Sequence, residues 1–331
     1  MTPATEGGRK VVVLAGGWSD EPREIGHSIE YGDYVETLLR GAGYDIVSLR
    51  PLRDTLVNLL VQHEGATVFN ALVGRYGEDG VLPSLLEFFG YSYTGCGPLA
   101  CALARDKYRC AQFMESHGVL IPNSLLMQDS TNGLRFVARP DTPLQDIVPS
   151  VVPFPLVVKP NRGAFGQGMT IVRHEDQLLP AISTALGYDG LVCIQQYIWG
   201  SDAHVSVLSG RVLEIIESGA RSDLPVLTKW SFTTERRAYV IPGRFSDSVR
   251  ETLKVRSELI FRLLGCRGLT RCDYRVTPDG RVYFLEVNVQ HSIRPLSMAV
   301  RAAAASGLRP VDLVLEVLAD RWSPNRRLGA F

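Results

Sequence analysis

The run Lys10-Val-Val-Val-Leu-Ala-Gly-Gly17 constrains this chain more than any other short stretch. Its apolar residues follow one another without polar alternation and stop at a glycine pair. Strands buried on both faces read that way, and they belong to parallel sheets covered by helices. A helical stretch over about 27–42 follows, then Ile46-Val-Ser-Leu49, a second helical stretch near 53–62, and Thr67-Val-Phe-Asn-Ala-Leu72. This β-α-β-α-β alternation predicts an open parallel sheet with right-handed crossovers. Ligands of such sheets bind beyond the carboxyl ends of the strands. The loops there, Gly16-Gly-Trp-Ser-Asp-Glu21 and Val73-Gly-Arg-Tyr-Gly-Glu-Asp-Gly80, are rich in glycine and carry acids.

That sheet accounts for under a third of the 331 residues. At about 150 residues per domain, the remainder predicts one or two further lobes. The expected divisions are 1–97 for the N-terminal α/β lobe, 98–198 for a central α+β lobe and 199–331 for a C-terminal α+β lobe. Helical spacing runs from Pro98 to His117, and the proline-rich stretch 131–155 predicts an irregular surface segment. Leu156-Val-Val-Lys-Pro160 and Met169-Thr-Ile-Val172 flank the loop Asn161-Arg-Gly-Ala-Phe-Gly-Gln-Gly168. Strand, glycine loop, strand is a hairpin, unlike the strand-to-helix entry of a dinucleotide fold or a P-loop. A helix over about 175–187 and the strand Leu191–Gln195 close the central lobe. The last lobe is expected to hold strands near 203–208 and 211–217, a loop at 219–237, and helices at 247–264 and 310–320.

The strongest constellation is Arg271-Cys-Asp273-Tyr-Arg-Val-Thr-Pro-Asp-Gly-Arg-Val-Tyr-Phe-Leu-Glu286-Val-Asn288. Asp279-Gly280 is a hairpin signal. A turn of those residues alone puts Asp273 opposite Glu286 and Arg271 opposite Asn288, all on one face. Like charges directly opposite are unfavourable, and a hard divalent cation removes that penalty. Carboxylate and amide oxygens are the donors Mg²⁺ prefers. Lys159, ending an apolar strand beside the glycine loop, suits nucleotide phosphates. Lys107 lies on a helix, and Gln195-Gln-Tyr-Ile198 is a segment able to offer backbone groups to an adenine edge.

Composition narrows the function classes. Lys plus Arg (35) equals Asp plus Glu (35), which argues against broad capture of nucleic acid or of a membrane surface. No stretch reaches the roughly 18 apolar residues of a membrane span, and the first ten residues lack the core of a signal peptide. Six cysteines without a C-x-x-C pair predict neither a disulfide framework nor structural zinc, and fit a reducing cytoplasm. The six histidines lack metal-ligand spacing, and no G-x-S-x-G elbow is present.

In their order along the chain, these pieces resemble the ATP-grasp superfamily, and within it the D-alanine–D-alanine ligase family. The likeness runs from Val11 to about Ala319. It is carried by Gly16-Gly-x-Ser19-x-Glu21, Asn70-Ala-Leu-Val-Gly-Arg-Tyr-Gly-Glu-Asp-Gly80, Tyr93-Thr-Gly-Cys-Gly97, Asp106-Lys107, Val158-Lys-Pro160, Arg271-x-Asp273 and Leu285-Glu-Val-Asn288 through Ser297. The resemblance implies a three-lobed ATP-grasp fold with ATP between the central and C-terminal lobes. Lys107 and Lys159 would contact phosphates under a lid that includes Gly166 and Gly168. Gln195, Gln196 and Ile198 would border adenine, and Asp202 would meet the ribose. Asp273, Glu286 and Asn288 would hold Mg²⁺, with Mn²⁺ as a substitute. Glu21, Lys159 and Arg271 would carry the chemistry: phosphorylation of a carboxylate, then attack of an amine on the acyl phosphate.

Departures from the family pattern cluster around the substrates. Phe165 stands where a serine is usual, Trp230 follows Lys229 in place of tyrosine, and Val73 replaces histidine. Asn288-Val-Gln-His-Ser292 loses the family's Pro-Gly, and Glu21-Pro-Arg-Glu24 carries one extra residue. Ser292 stands at the lost glycine near the second substrate, while Arg271 and Ser297 remain for the acceptor. The expected function is therefore an ATP- and Mg²⁺-dependent carboxylate–amine ligase of amino-acid-like substrates in a specialised natural-product pathway. The alternatives are D-alanine–D-alanine ligation for peptidoglycan precursors and an intramolecular cyclo-ligase. A non-catalytic nucleotide-binding regulator is disfavoured by the intact Asp273–Glu286–Asn288 set. The expected assembly is a homodimer, and no feature of the sequence supports a carrier-protein partner.

Overall fold

In a computed structural model, which describes residues 10–17, 22–51, 54–130, 133–138, 142–218 and 239–324, the valine run is the central strand of a parallel sheet. The order is β2-β1-β3, from β1 (Lys10–Leu14), β2 (Asp45–Leu49) and β3 (Thr67–Asn70). Its connections carry α1 (Pro22–Gly41) and α2 (Leu56–Val61), and α3 (Val81–Phe88) follows. Side-chain alternation explains why β1 shows no polar face. Val11 and Val13 pack with Tyr31, Val35 and Leu39 of α1, while Val12 and Leu14 pack with Leu56, Leu60, Leu82 and Leu86. Ser28 of α1 accepts from Gly16 N–H at 2.8 Å and donates to the Ala71 carbonyl at 2.7 Å, tying two strand ends together.

The helical spacing from Pro98 to His117 resolves into α4 (Pro98–Arg105) and α5 (Lys107–Glu115). Asp106 breaks it: at φ −89°, ψ 89° it leaves the helix, and its carboxylate caps α5 by accepting from Arg109 N–H at 3.0 Å. Grouped by sequence with the central lobe, these helices bury Ala100, Cys101, Ala104, Cys110 and Met114 in the core of the last sheet instead.

The central sheet has the order β5-β4-β8-β6-β7, formed by β4 (Ser124–Ser130), β5 (Gly133–Phe136), β6 (Leu156–Pro160), β7 (Thr170–Val172) and β8 (Leu191–Gln196). Its helices are α6 (Leu144–Val151) and α7 (Leu178–Leu186). Here the expectation of irregular structure over 131–155 is corrected: β5 and α6 lie within it, and Phe136, Val148 and Val152 are buried core. The prolines masked an apolar pattern that the sheet uses.

The last sheet runs β12-β11-β9-β13-β14, with β10 beside β9. These are β9 (Ser201–Leu208), β10 (Arg211–Val212), β11 (Ile216–Ser218), β12 (Tyr239–Val240), β13 (Leu269–Val276) and β14 (Val282–Asn288). The helices α8 (Asp247–Leu263), α9 (Met298–Ala305) and α10 (Pro310–Ala319) cover it. One core joins it to the N-terminal sheet: Phe69 and Val73 share a cluster with Leu269, Ile293, Ala299 and Leu313. All six cysteines are free and buried, and no described helix is long and apolar enough to cross a membrane.

Candidate active site

The site is built on the β13–β14 hairpin. Thr277 N–H donates to the Arg281 carbonyl at 2.9 Å and Val276 pairs with Val282, so the turn spans 278–280 and not Asp279-Gly280 alone. A one-residue slip would have moved every pairing. A bulge between Asp273 and Tyr274 reverses it, with Leu285 as the extra residue, so Asp273 faces Glu286 and Arg271 faces Asn288.

Asp273 is the electrostatic centre. Arg271 grips it with parallel bonds, Nε to Oδ1 at 2.8 Å and Nη2 to Oδ2 at 2.9 Å. His204, opposite it on β9, places Nδ1 2.7 Å from Oδ1 and Nε2 2.7 Å from Ser218 Oγ. Burial opposes the charge on Asp273, but the Arg271 guanidinium and His204 hold its carboxyl well below the usual range. Arg271 Nη1 lies 3.4 Å from His291 Nδ1. Glu286 is freer, its side chain 35% exposed, and Asn288 Oδ1 accepts from Gln290 N–H at 2.9 Å.

The phosphate candidates converge on this hairpin. Lys107 Nζ stands 3.6 Å from Glu286 Oε2 and donates to the Gly163 carbonyl of the glycine loop. Lys159 Nζ donates to Gln195 Oε1 at 2.9 Å, and Gln195 Nε2 donates to Ser124 Oγ at 3.1 Å. Gln195 thus orients a lysine, while Gln196 pairs with the backbone of Asn123. Asp202 Oδ1 accepts from Arg275 Nη1 at 2.8 Å, and Arg275 Nε donates to the Ile198 carbonyl at 3.0 Å.

The loop between β6 and β7 needs its glycines. Gly166 and Gly168 sit at φ +66° and +68°, and Phe165 shares that left-handed region at +54°. A Cβ on Gly168 would lie 2.8 Å from Pro160 Cγ and 2.6 Å from the Tyr188 ring. Gly168→Ala is expected to cost about 1–3 kcal/mol of stability, read as a shift in the denaturant midpoint. An unchanged midpoint would mean that the loop refolds freely.

Around the expected substrate positions, Phe165 meets His27 edge-on, with ring centroids 4.9 Å apart, and packs on the core that contains buried Val73. Ser292 is half-buried in the loop before α9. Ser297 caps α9, its Oγ accepting from Val300 N–H at 3.4 Å. Glu21, Lys229 and Trp230 lie outside the described residues. Glu24, beyond the extra residue, is 6% exposed, and a Cβ on Gly74 would fall 1.9 Å from its Oε2. Among the described residues it is the α1 carboxylate presented beside Val73.

Several residues here carried no signal in the sequence: His204, Arg275, Arg105 and Gln290. Gln290 Nε2 donates to the Leu72 carbonyl at 2.8 Å, and its Oε1 accepts from Asn70 Nδ2 at 2.7 Å, locking the acceptor loop to the end of β3. Among the described residues no group of three or more His, Cys, Asp and Glu is arranged for a metal; the candidate set is two carboxylates and an amide. All are oxygen donors and Glu286 has an exposed side, which fits Mg²⁺, although Arg271 already balances Asp273 and Lys107 stands beside Glu286.

A family model described as the C-terminus of D-ala D-ala ligase matches residues 135–319. The chain is 31% identical over 314 residues to the D-alanine–D-alanine ligase of Syntrophotalea carbinolica, with 94% of this chain and 95% of that protein covered. It is 33% identical over 330 residues to the D-alanine–D-alanine ligase of Cupriavidus metallidurans, covering 96% and 95%. The crystal structure of D-alanine–D-alanine ligase from Bacillus anthracis complexed with ATP superposes with a TM-score of 0.78 at 25% identity, over 94% of this chain and 97% of that one.

Proposed function

Since the chain belongs to the D-alanine–D-alanine ligase family and is an ATP-dependent, ADP-forming C–N ligase of ATP-grasp fold, we propose that it joins D-alanine to a second D-alanine through an acyl phosphate. The relatives' names support the choice of D-alanine, and the observation that carries the ATP chemistry is the position of Lys107. One ammonium bridges the glycine loop at Gly163 and the hairpin carboxylate Glu286, where a nucleotide's terminal phosphates would meet both.

In this scheme Gln195 aims Lys159 at the phosphates, and Lys107 supplies a second positive charge. Mg²⁺ held by Asp273, Glu286 and Asn288 would neutralise phosphate charge when bound. Arg271, fixed by Asp273, would serve the transferred phosphoryl and, together with Ser297, the acceptor's carboxylate. Glu21 would meet the donor ammonium, with Glu24, packed against Gly74, as a second acid. Most of the work is positioning and charge neutralisation, as phosphoryl transfer requires.

A second reading, a donor other than D-alanine, is favoured by Phe165, whose ring closes on His27 where a hydroxyl is usual. The relatives lend no support to a specialised natural-product pathway; their names favour the D-alanine reaction.

The test is an assay of ADP, phosphate and product mass with D-alanine alone and with paired D- and L-amino acids. D-alanine alone is expected to release ADP and phosphate in step with D-alanyl-D-alanine. ADP release only with another donor, restored toward D-alanine by Phe165→Ser, would establish the second reading. AMP and pyrophosphate as products would overturn both.

A further inference from the structure

Arg275 makes three contacts on the site's face of the last sheet that neither phosphoryl transfer nor amine attack calls for. It follows Arg271 and Asp273 on β13 at two-residue intervals, and β13 pairs with β9 without a break from Leu269 to Val276. The three side chains therefore share one face, with Arg275 about 7 Å along the strand from Asp273. On β9 the residue opposite Asp273 is His204, and the residue opposite Arg275 is Asp202.

Arg275 Nη1 donates to Asp202 Oδ1 at 2.8 Å, and Nε donates to the Ile198 carbonyl at 3.0 Å. Its guanidinium carbon lies 5.7 Å from the centre of the Tyr197 ring. One arginine of β13 thus holds both the segment that leaves the central sheet after β8 and a carboxylate at the start of β9. Asp202 keeps 28% of its side chain exposed, and among the described residues nothing donates to its Oδ2.

A carboxylate has room for about four hydrogen bonds. With Oδ1 fixed by a guanidinium, Oδ2 is left to accept from a ligand hydroxyl in one set direction. Neutralisation matters as well. Lys107 and Glu286 mark where the outer phosphates would lie, and a bare carboxylate farther along the same face would repel them. Paired with Arg275, Asp202 can accept a hydrogen bond without presenting a net charge.

We propose, building on the nucleotide placement above, that Arg275 is the positioning residue that makes this enzyme selective for a ribonucleotide. It aims Asp202 at a ribose hydroxyl and keeps the Ile198 segment, expected to border the base, in register with that carboxylate. Arg275 itself need not touch the nucleotide, and the identity of the amino-acid donor does not enter.

Calorimetric titration with ADP, 2′-deoxy-ADP and 3′-deoxy-ADP in the presence of Mg²⁺ tests this without turnover. The intact enzyme should bind ADP at least about tenfold more tightly than one of the deoxy forms, the loss expected for a hydrogen bond to a charged group. Arg275→Met keeps an apolar stem against Tyr197 but no donor. In that variant ADP should weaken about tenfold, and the ratio should fall to within about threefold. Arg275→Lys should keep part of the ratio, since an ammonium can reach Asp202 but cannot hold Ile198 at the same time. Asp202→Ala should abolish the ratio, and adding Arg275→Met should leave it where Asp202→Ala alone sets it. An arginine that only supports the fold would weaken all three nucleotides together and leave the ratio intact. That result in Arg275→Met, or equal binding of all three nucleotides by the intact enzyme, would overturn the assignment. If the intact enzyme binds no ADP, the nucleotide placement itself fails and takes this inference with it.

Discussion

Glu286→Gln is expected to lower Mg²⁺-dependent turnover by about 10²–10⁴-fold while the protein stays folded. The side chain is partly exposed and makes no contact that the core requires, so a neutral isostere should leave the β13–β14 register in place. Two losses then add. One oxygen donor of the candidate Mg²⁺ set loses its charge, and Lys107 loses the carboxylate 3.6 Å away. Burial already pulls the Lys107 pKa down, with Glu286 the main charge raising it, so the substitution also weakens the ammonium aimed at the phosphates. ADP release across a Mg²⁺ titration measures the first loss, and Mn²⁺ binding followed by electron paramagnetic resonance reads the metal independently of turnover. Turnover and Mn²⁺ affinity both within about threefold of the original would remove Glu286 from the metal set.

How much of this was legible in the sequence depended on the range of the interactions involved. The valine run and the glycine hairpin were readable because their signals are local: buried alternation across β1, and glycines at positive φ between β6 and β7. The Asp273–Glu286 pairing was also readable, although the turn is one residue longer than its Asp-Gly signal suggests. A bulge restored the register, and nothing about Leu285 marks it in the sequence as an inserted residue.

His204 was invisible for the opposite reason. It reaches Asp273 only through the β9–β13 pairing, across 69 residues of chain, and in the sequence it is one of several polar residues in its strand, with Ser201, Asp202 and Ser206. Arg105 and Glu78 read as an ordinary helix charge and an ordinary loop acid until packing brings them together. The lobe to which α4 and α5 contribute was equally hidden, since small buried residues such as Ala100, Ala104 and Ala111 do not specify which sheet they will meet.

Arg271→Lys is expected to cut kcat by about 10²-fold or more and to raise the acceptor KM by about tenfold, with the KM for ATP little changed. A guanidinium presents parallel donors, and here Nε and Nη2 are both committed to Asp273 while Nη1 points toward His291. An ammonium is a single point: it can approach Asp273 or the substrate, but it cannot hold the first while aligned on the second. Each hydrogen bond lost to a charged group is worth about 1.5–3 kcal/mol, which accounts for the size of both effects. The substitution keeps the positive charge, so Asp273 is not left as an uncompensated buried carboxylate, and the fold should survive where Arg271→Ala would lose about 3–5 kcal/mol. The acceptor role is checked separately with D-alaninamide, which lacks the carboxylate. It should be a poor acceptor for the intact enzyme and should lose little further in Arg271→Lys, because the contact that the substitution damages is already missing. If D-alaninamide and D-alanine serve equally well in the intact enzyme, Arg271 does not hold the acceptor, and its work is confined to Asp273 and the phosphoryl group.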